Sequence, residues 1–238
     1  MSTPAGGGRV LVATRNPGKL RELAPMLVAA GFEPVGLAGS GAGSGSISPA
    51  APGSAEGAAP WAGLPPDDAE DLLEVHETFR ENALAKARWF RLRSGLATIA
   101  DDSGLVVEAL GGAPGVRSRR FSGRSDLDGA ALDAANNALL LERLADVSDR
   151  RAAFVCAAAY VSADGGLELV GEGRTEGRIV GPAEGGGGLG FGYDPWFWSE
   201  ELGATFGDSS REAKEEVSHR GRAVRALLSR VADATRQG

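Results

Sequence analysis

Thiol and imidazole groups are scarce in this 238-residue chain, which has one cysteine, Cys156, and two histidines, His76 and His219. A single thiol excludes an internal disulfide, and its setting in "AAFVCAAAYV" predicts a small buried group rather than a reactive nucleophile. Two histidines are too few for a histidine-rich metal centre. No apolar run approaches the roughly 20 residues that cross a bilayer, so no membrane span is expected. The basic excess that non-specific nucleic-acid or anionic-membrane binding requires is also missing: 25 Lys and Arg stand against 32 Asp and Glu, a formal net charge of −7. An anionic small substrate is still compatible, because a local site can oppose the global charge. The opening "MSTPAGGGRV" has neither a basic n-region nor an apolar h-region, and a cytoplasmic location is the expectation.

With 42% hydrophobic and 24% charged residues, the chain has an ordinary globular composition. Its length sits near the upper end of one domain, so a single domain over 1–238 is expected. "RVLVAT" (9–14) is a short strand, "RNPGK" a loop, and Lys19 to Ala30 a helix that Pro25 should kink or end early. Residues 33–37 can form a second strand. From 38 to 66 the composition changes to Gly, Ala, Ser and Pro, which predicts a flexible insertion. Helix resumes over 77–95, where Phe79, Ala83, Lys86, Ala87 and Phe90 share one side. A strand follows, then helix over 126–147. "RAAFVCAAAYV" and "LELVGEGRTEGRIV" flank the turn "SADGG" as a long hairpin, and helix closes the chain from "SREAKEE" onward. Strand–helix units plus an antiparallel hairpin predict an α/β fold, a mixed twisted sheet with flanking helices in two lobes around a cleft.

Four stretches carry residue types suited to chemistry. In "TRNPGK", Thr14 to Lys19, Asn16 can cap the helix, Pro17 suits its first position and Gly18 permits close approach, so that Arg15, Lys19 and free N–H groups face an anion. A capped helix with a surface lysine fits the same residues. In "TIADDSGLVV" two acids, Asp101 and Asp102, end an apolar strand, where burial without a partner costs several kcal/mol. Adjacent strand residues point to opposite sides, so one acid faces a cleft while the other supports it, and Asp102 beside Ser103 is the choice for the cleft. A Mg2+ ion held by one or two carboxylates and by substrate phosphates suits such a place. In "GGGGLGFGYDP" the formal G-x-G-x-x-G match at Gly185, Gly187 and Gly190 lacks a following helix. Exposed Phe191 and Tyr193, with Gly192 and Asp194, can instead stack on and orient a flat base. In "KEEVSHRG", Lys214, His219 and Arg220 gather donors near a helix start that Ser218 can cap, and together they favour an oxyanion.

Taken jointly, "ATRNPGKLREL", "TFRENALAKAR", "ADDSGLVVEALGGAPGVRS", "GFGYDP" and "SHRG" resemble, in order, the non-standard purine NTP pyrophosphatases, also called inosine triphosphate pyrophosphatases or XTP/dITP diphosphatases. The resemblance covers roughly 9–37 and 72–230. It implies a Mg2+-dependent enzyme that splits ITP, dITP and XTP into monophosphate and pyrophosphate. Asp102 would bind the metal and accept a proton, Thr14 to Lys19 would hold the triphosphate, Ser103 would touch substrate and Phe191 to Asp194 would surround the base. Lys214, His219 and Arg220 would complete the nucleotide site, in a homodimer. The chain departs from the family where "E-T-G-x-T-F" becomes "EVHETF": Glu74 stands nearest the expected metal ligand, but the glycine is missing. Arg119 replaces a smaller residue. Two alternatives stay open: a Maf-like pyrophosphatase with pyrimidine or modified-nucleotide preference, and a non-catalytic nucleotide-binding module.

Overall fold

The computed structural model describes residues 8–37, 73–186 and 190–237; the expected insertion at 38–66 and Gly187 lie outside them. The elements run β1 (Arg9–Val12), α1 (Pro17–Ala29), β2 (Glu33–Gly36), α2 (Phe79–Ser94), β3 (Ala97–Val107), α3 (Gly129–Arg143), β4 (Arg151–Val161), β5 (Glu168–Ile179), β6 (Phe197–Ser199), β7 (Ala204–Thr205), α4 (Arg211–Val217) and α5 (His219–Gln237). Among the described residues the strands form one mixed sheet in the order β2-β1-β3-β4-β5-β6-β7. β1 is parallel to both β2 and β3, and every pairing from β3 to β7 is antiparallel.

β1 lies between β2 and β3, so the chain leaves it in one direction while β3 pairs on its other side, which opens a crevice beyond its carboxyl end. The β1 ladder stops at Val12 opposite Ile99, whereas β3 continues for another eight residues against β4. The acids therefore do not end the strand as expected. Asp101 and Asp102 sit in the middle of β3, paired with Ala158 and Ala157, where the neighbour on the other side has run out.

Both faces of the sheet are covered. α1 and α5 pack with Val10, Val12, Ile99, Cys156 and Ala158, while α2 covers Leu11, Ala13, Ala100, Ala157 and Ala159 on the opposite face. A third cluster, around Leu105, Phe154, Phe197 and Phe206, fills the far end beneath α3. α5 approaches β5 closely because of two glycines on one face. A Cβ on Gly171 would run into the Ala223 carbonyl and the Leu227 backbone, and one on Gly173 into the His219 carbonyl. This close approach brings the first residues of α5 over β3.

Two helix expectations are corrected. α1 runs through Pro25 to Ala29 without the early end expected there. The Arg21 carbonyl, whose partner four residues on would be the missing Pro25 N–H, accepts instead from the Arg211 guanidinium of α4. The closing helix is two helices, divided at Ser218, whose backbone is extended. The Ser218 hydroxyl accepts from Gly221 N at 3.0 Å and caps α5, as its position before the donor cluster predicts.

Candidate active site

α1 starts as its sequence dictates. Asn16 caps it, accepting from Gly18 N at 2.8 Å and Lys19 N at 3.3 Å, with Pro17 at the first position. The same cap removes the donors expected to face an anion. Pro17 has no N–H, Gly18 and Lys19 give theirs to the Asn16 side chain, and Leu20 gives its own to the Asn16 carbonyl. Thr14 is turned inward, its hydroxyl accepting from Asn16 N at 3.2 Å. The charge of this turn resides in Lys19, whose Nζ lies 2.9 Å from Asp101 Oδ2, with Arg15 half-buried beside it.

Asp101 points to the α1/α5 face and is 1% exposed. Lys19 shares its Oδ2 with Arg220, whose Nε is 3.2 Å away. Burial alone would raise this carboxyl, but Lys19, Arg220 and Lys86 outweigh it and hold the group well below the usual carboxylate range. Arg220 also donates to Glu22 and to Ser103 Oγ at 3.1 Å, so each of its three nitrogens has an acceptor while two of its five N–H donors are left over.

Asp102 points to the α2 face and is 5% exposed. Asn82 Nδ2 donates to its Oδ2 at 2.9 Å, and Ser103 N to its Oδ1 at 3.0 Å. Burial, reinforced by the negative charge of Glu74, raises its pKa to about 6. Glu74 is ion-paired with Lys86, and despite burial that lysine keeps its carboxyl below the ordinary value. Lys86 Nζ also donates to the Asp101 carbonyl at 3.3 Å.

Asn82 is fully buried and bonded on every side. Besides Asp102 it accepts from His76 N at 2.9 Å and donates to the His76 carbonyl at 3.4 Å, tying the segment that carries Glu74 to the strand that carries Asp102. Neither Asn82 nor Lys86 was among the candidate site residues. The signal was present, since a lysine on the inward stripe with Phe79, Ala83, Ala87 and Phe90 needs a buried partner, and Asn82 lies three residues from Phe79 in that stripe.

The loop "FGYD" divides its aromatic residues. Phe191 is 36% exposed, and its ring lies over Gly18, where a Cβ would meet it at 3.0 Å. Tyr193 is not exposed as expected: it is 5% exposed and donates its hydroxyl to the Ser118 carbonyl at 2.8 Å, so it holds the loop down. α3 grips Gly192 from both sides, with Asp133 accepting its N–H at 2.8 Å and Asn137 donating to its carbonyl at 2.9 Å. Asp194 is buried and bonded to Lys214 Nζ at 2.6 Å and Phe191 N at 3.2 Å. Lys214 in turn stands 5.0 Å over the Phe191 ring.

His219 does not add a third positive charge to Lys214 and Arg220. It is 4% exposed and stacked on Phe154 with centroids 4.8 Å apart; burial, with help from Arg220 and Lys214, pushes its pKa well down, so it is neutral. Among the described residues its Nδ1 has no hydrogen-bond partner.

The donor set fits a divalent cation of the Mg2+ type. Among the described residues no group of three or more His, Cys, Asp or Glu gathers as a closed metal cage. Two carboxylates, buried Asp102 and half-buried Glu74, stand close enough to raise the proton affinity of the first, a repulsion that a cation shared with phosphate oxygens would relieve. Among the described residues, Lys86 supplies the positive charge bonded to that pair, through Glu74.

The family model described as the Ham1 family matches residues 10–230. The chain belongs to the Ham1 family. A dITP/XTP pyrophosphatase of Burkholderia pseudomallei is 41% identical over 233 residues, covering 98% of this chain and 97% of that protein. One from Aromatoleum aromaticum is 49% identical over 168 residues, 70% and 81% of the two chains. Among solved structures, the Ham1 protein of Staphylococcus aureus superposes with a TM-score of 0.68 at 28% identity, covering 95% of this chain and 99% of its own. Membership in this Ham1 family decides against the Maf-like alternative.

Proposed function

We propose that this Ham1-family chain hydrolyses the non-standard purine nucleoside triphosphates ITP, dITP and XTP to monophosphate and pyrophosphate, with Mg2+ as cofactor. The observation that carries the reading is Asp102: a buried carboxylate at the crevice beyond β1, oriented by Asn82, paired across the site with Glu74 and poised near neutrality at about 6. The relatives named dITP/XTP pyrophosphatase support the substrate class.

The chain's own residues divide the work. Asp102 and Glu74 would hold Mg2+, which when bound offsets the charge of the phosphates and favours attack by water. Asp102 orients the attacking water and accepts its proton through the carboxylate oxygens that Asn82 and Ser103 N hold in place. Lys19, Lys214 and Arg220 line the opposite side, each bonded to a carboxylate, and a triphosphate competes with Asp101, Asp194 and Glu22 for them. Phe191 offers an exposed ring for the base, and a donor from Arg220 or a backbone N–H recognises a 6-oxo group where adenine presents an amino group.

A homodimeric, cytoplasmic enzyme is part of the same proposal. The deciding experiment measures pyrophosphate and monophosphate release across ITP, dITP, XTP, ATP, GTP and the pyrimidine triphosphates, with Mg2+ and with EDTA. The expected result is Mg2+-dependent pyrophosphate release from the first three. No turnover of any triphosphate would leave a nucleotide-binding module instead.

A further inference from the structure

Beyond the crevice, the 3-10 turn Gly115–Arg120 lies flat on β3. It can do so because Gly104 lacks a side chain: a Cβ there would strike the Gly115 carbonyl and Ser118 Oγ. Ser118 turns inward, accepting from Leu105 N at 2.9 Å and donating to the Gly115 carbonyl at 2.7 Å. With Ser118 buried, the arginines around it are displayed outward on a rigid base. Arg117 and Arg120, with Arg143 from the last turn of α3, line a cavity of about 290 Å3 floored by Ala113, Pro114 and Phe121.

This cavity is short of negative charge. Arg143 lies 5.0 Å over the Phe121 ring, and Arg120 donates to the Glu74 carbonyl at 2.6 Å. Among the described residues, the carboxylate contact of the three is that of Arg117 with Glu77, 4.0 Å apart and exposed on both sides. Elsewhere in the molecule Arg88, Arg124, Arg151 and Arg222 reach carboxylate oxygens at 2.5 to 2.8 Å. In a chain with more acidic than basic residues, three guanidinium groups around one hollow, with a single long carboxylate contact, repel one another unless an anion joins them.

We propose that this cavity is a second anion site, separate from the catalytic crevice, for a pyrophosphate-type group. Guanidinium forks match phosphate oxygens two at a time, and several forks converging on one hollow suit more than one phosphorus centre. The volume lies at the lower edge of the roughly 300–1,000 Å3 of sites for drug-sized ligands, which suits inorganic pyrophosphate or the phosphate tail of a nucleotide rather than a whole nucleoside triphosphate. Arg120 joins the cavity to the segment carrying Glu74, so the test leaves Arg120 in place.

The test titrates inorganic pyrophosphate, in EDTA, into the full chain and into the Arg117→Ala/Arg143→Ala variant, reading stoichiometry and affinity by calorimetry. Both side chains are exposed, and unchanged melting and turnover would certify the variant. The wild type is expected to bind one pyrophosphate more per chain than the variant, or to bind that equivalent at least about tenfold more tightly. Identical isotherms for the two proteins would overturn the site. So would an altered sedimentation coefficient in the variant with unaltered pyrophosphate binding, which would make the cavity an interface between copies of the chain. A non-hydrolysable ITP analogue that competes for the extra equivalent would identify a nucleotide tail as the ligand, and lack of competition would identify free pyrophosphate; either result supports the phosphate chemistry. Absence of ITP hydrolysis would refute the catalytic reading and leave this binding result standing.

Discussion

Asp101 and Asp102 are neighbours in sequence, identical in chemistry and almost equally buried, yet the fold drives their acidities in opposite directions. One step along β3 exchanges faces. On the α1/α5 face Asp101 meets Lys19 and Arg220 and stays ionised far below the usual range. On the α2 face Asp102 meets Asn82 and the charge of Glu74, and its pKa rises to about 6. The difference teaches that burial alone does not decide what a carboxylate can do; its partners do. The first acid fixes two cations in place, and the second retains an affinity for a proton or a metal ion.

The sharpest way to break this contrast is Asp102→Asn, which keeps shape and removes charge. Turnover should fall by about a hundred- to ten-thousandfold, the range for losing a positioned proton acceptor, and more if the metal is lost with it. Stability should move the other way. Because the folded pKa is raised, the stabilising proton is fully present below about pH 4 and lost as pH rises through about 6, so ionised Asp102 strains the fold at neutral pH. In EDTA the variant should therefore melt higher than wild type at pH 7.5 and equally at pH 4. A variant that melts lower at both pH values, or keeps near-normal turnover, would contradict the assignment.

Asp101→Asn should give the mirror image, a stability loss of about 3–5 kcal/mol at pH 7, because Lys19 and Arg220 keep their buried charges and lose a common partner. Denaturant unfolding checks it. The wild-type protein should lose this contribution as pH falls below about 4, the direction set by a depressed carboxylate. Turnover falls too if the misplaced cations serve the phosphates, so the distinguishing readout is the unfolding midpoint, which drops here and does not for Asp102→Asn.

Much of this was legible along the chain, and what was not has a physical cause. The Asn16 cap, the Pro17 start of α1 and the hairpin rest on local geometry, in which a residue answers to neighbours within a few positions. The mixed sheet and the family followed from the order of such pieces. The middle-of-strand position of the acids was hidden because Asp101-Asp102 is followed by Ser103-Gly104, which reads as a turn, while the apolar residues before and beyond carry no period-two mark, as in a strand covered on both faces. The partners of Asp101 were hidden by distance: Arg220 lies 119 residues away and arrives only because Gly171 and Gly173 let α5 settle on β5. Tyr193 and Phe191 have similar rings, and only the fold reveals that one is an anchor and the other a surface.

Lys19→Ala tests the cationic side with a smaller effect. An ammonium that meets the triphosphate is worth about 1.5–3 kcal/mol of binding or transition-state stabilisation, the range for charge-assisted hydrogen bonds. A solvated lysine would leave stability unchanged, but Lys19 is bonded to buried Asp101, so the melting temperature should fall as well. Steady-state kinetics with ITP and a melting curve suffice. Unchanged kinetics with a lowered melting temperature would make Lys19 solely the partner of Asp101, and the phosphates would then rest on Lys214 and Arg220.

The smallest effect expected is that of Tyr193→Phe, and it separates the two aromatic residues of one loop. The Tyr193 hydroxyl donates to the Ser118 carbonyl in a buried position, so its removal leaves that carbonyl short of a donor and should cost about 1 kcal/mol of stability. Its ring remains, and with it the packing that holds the loop against Leu105 and Phe154. If the base stacks on Phe191 alone, KM for ITP should be unchanged in Tyr193→Phe and raised about fivefold in Phe191→Ala, where an exposed stacking surface worth about 1 kcal/mol is lost. A raised KM in Tyr193→Phe with kcat and melting temperature intact would place the hydroxyl in contact with substrate and return Tyr193 to the binding surface.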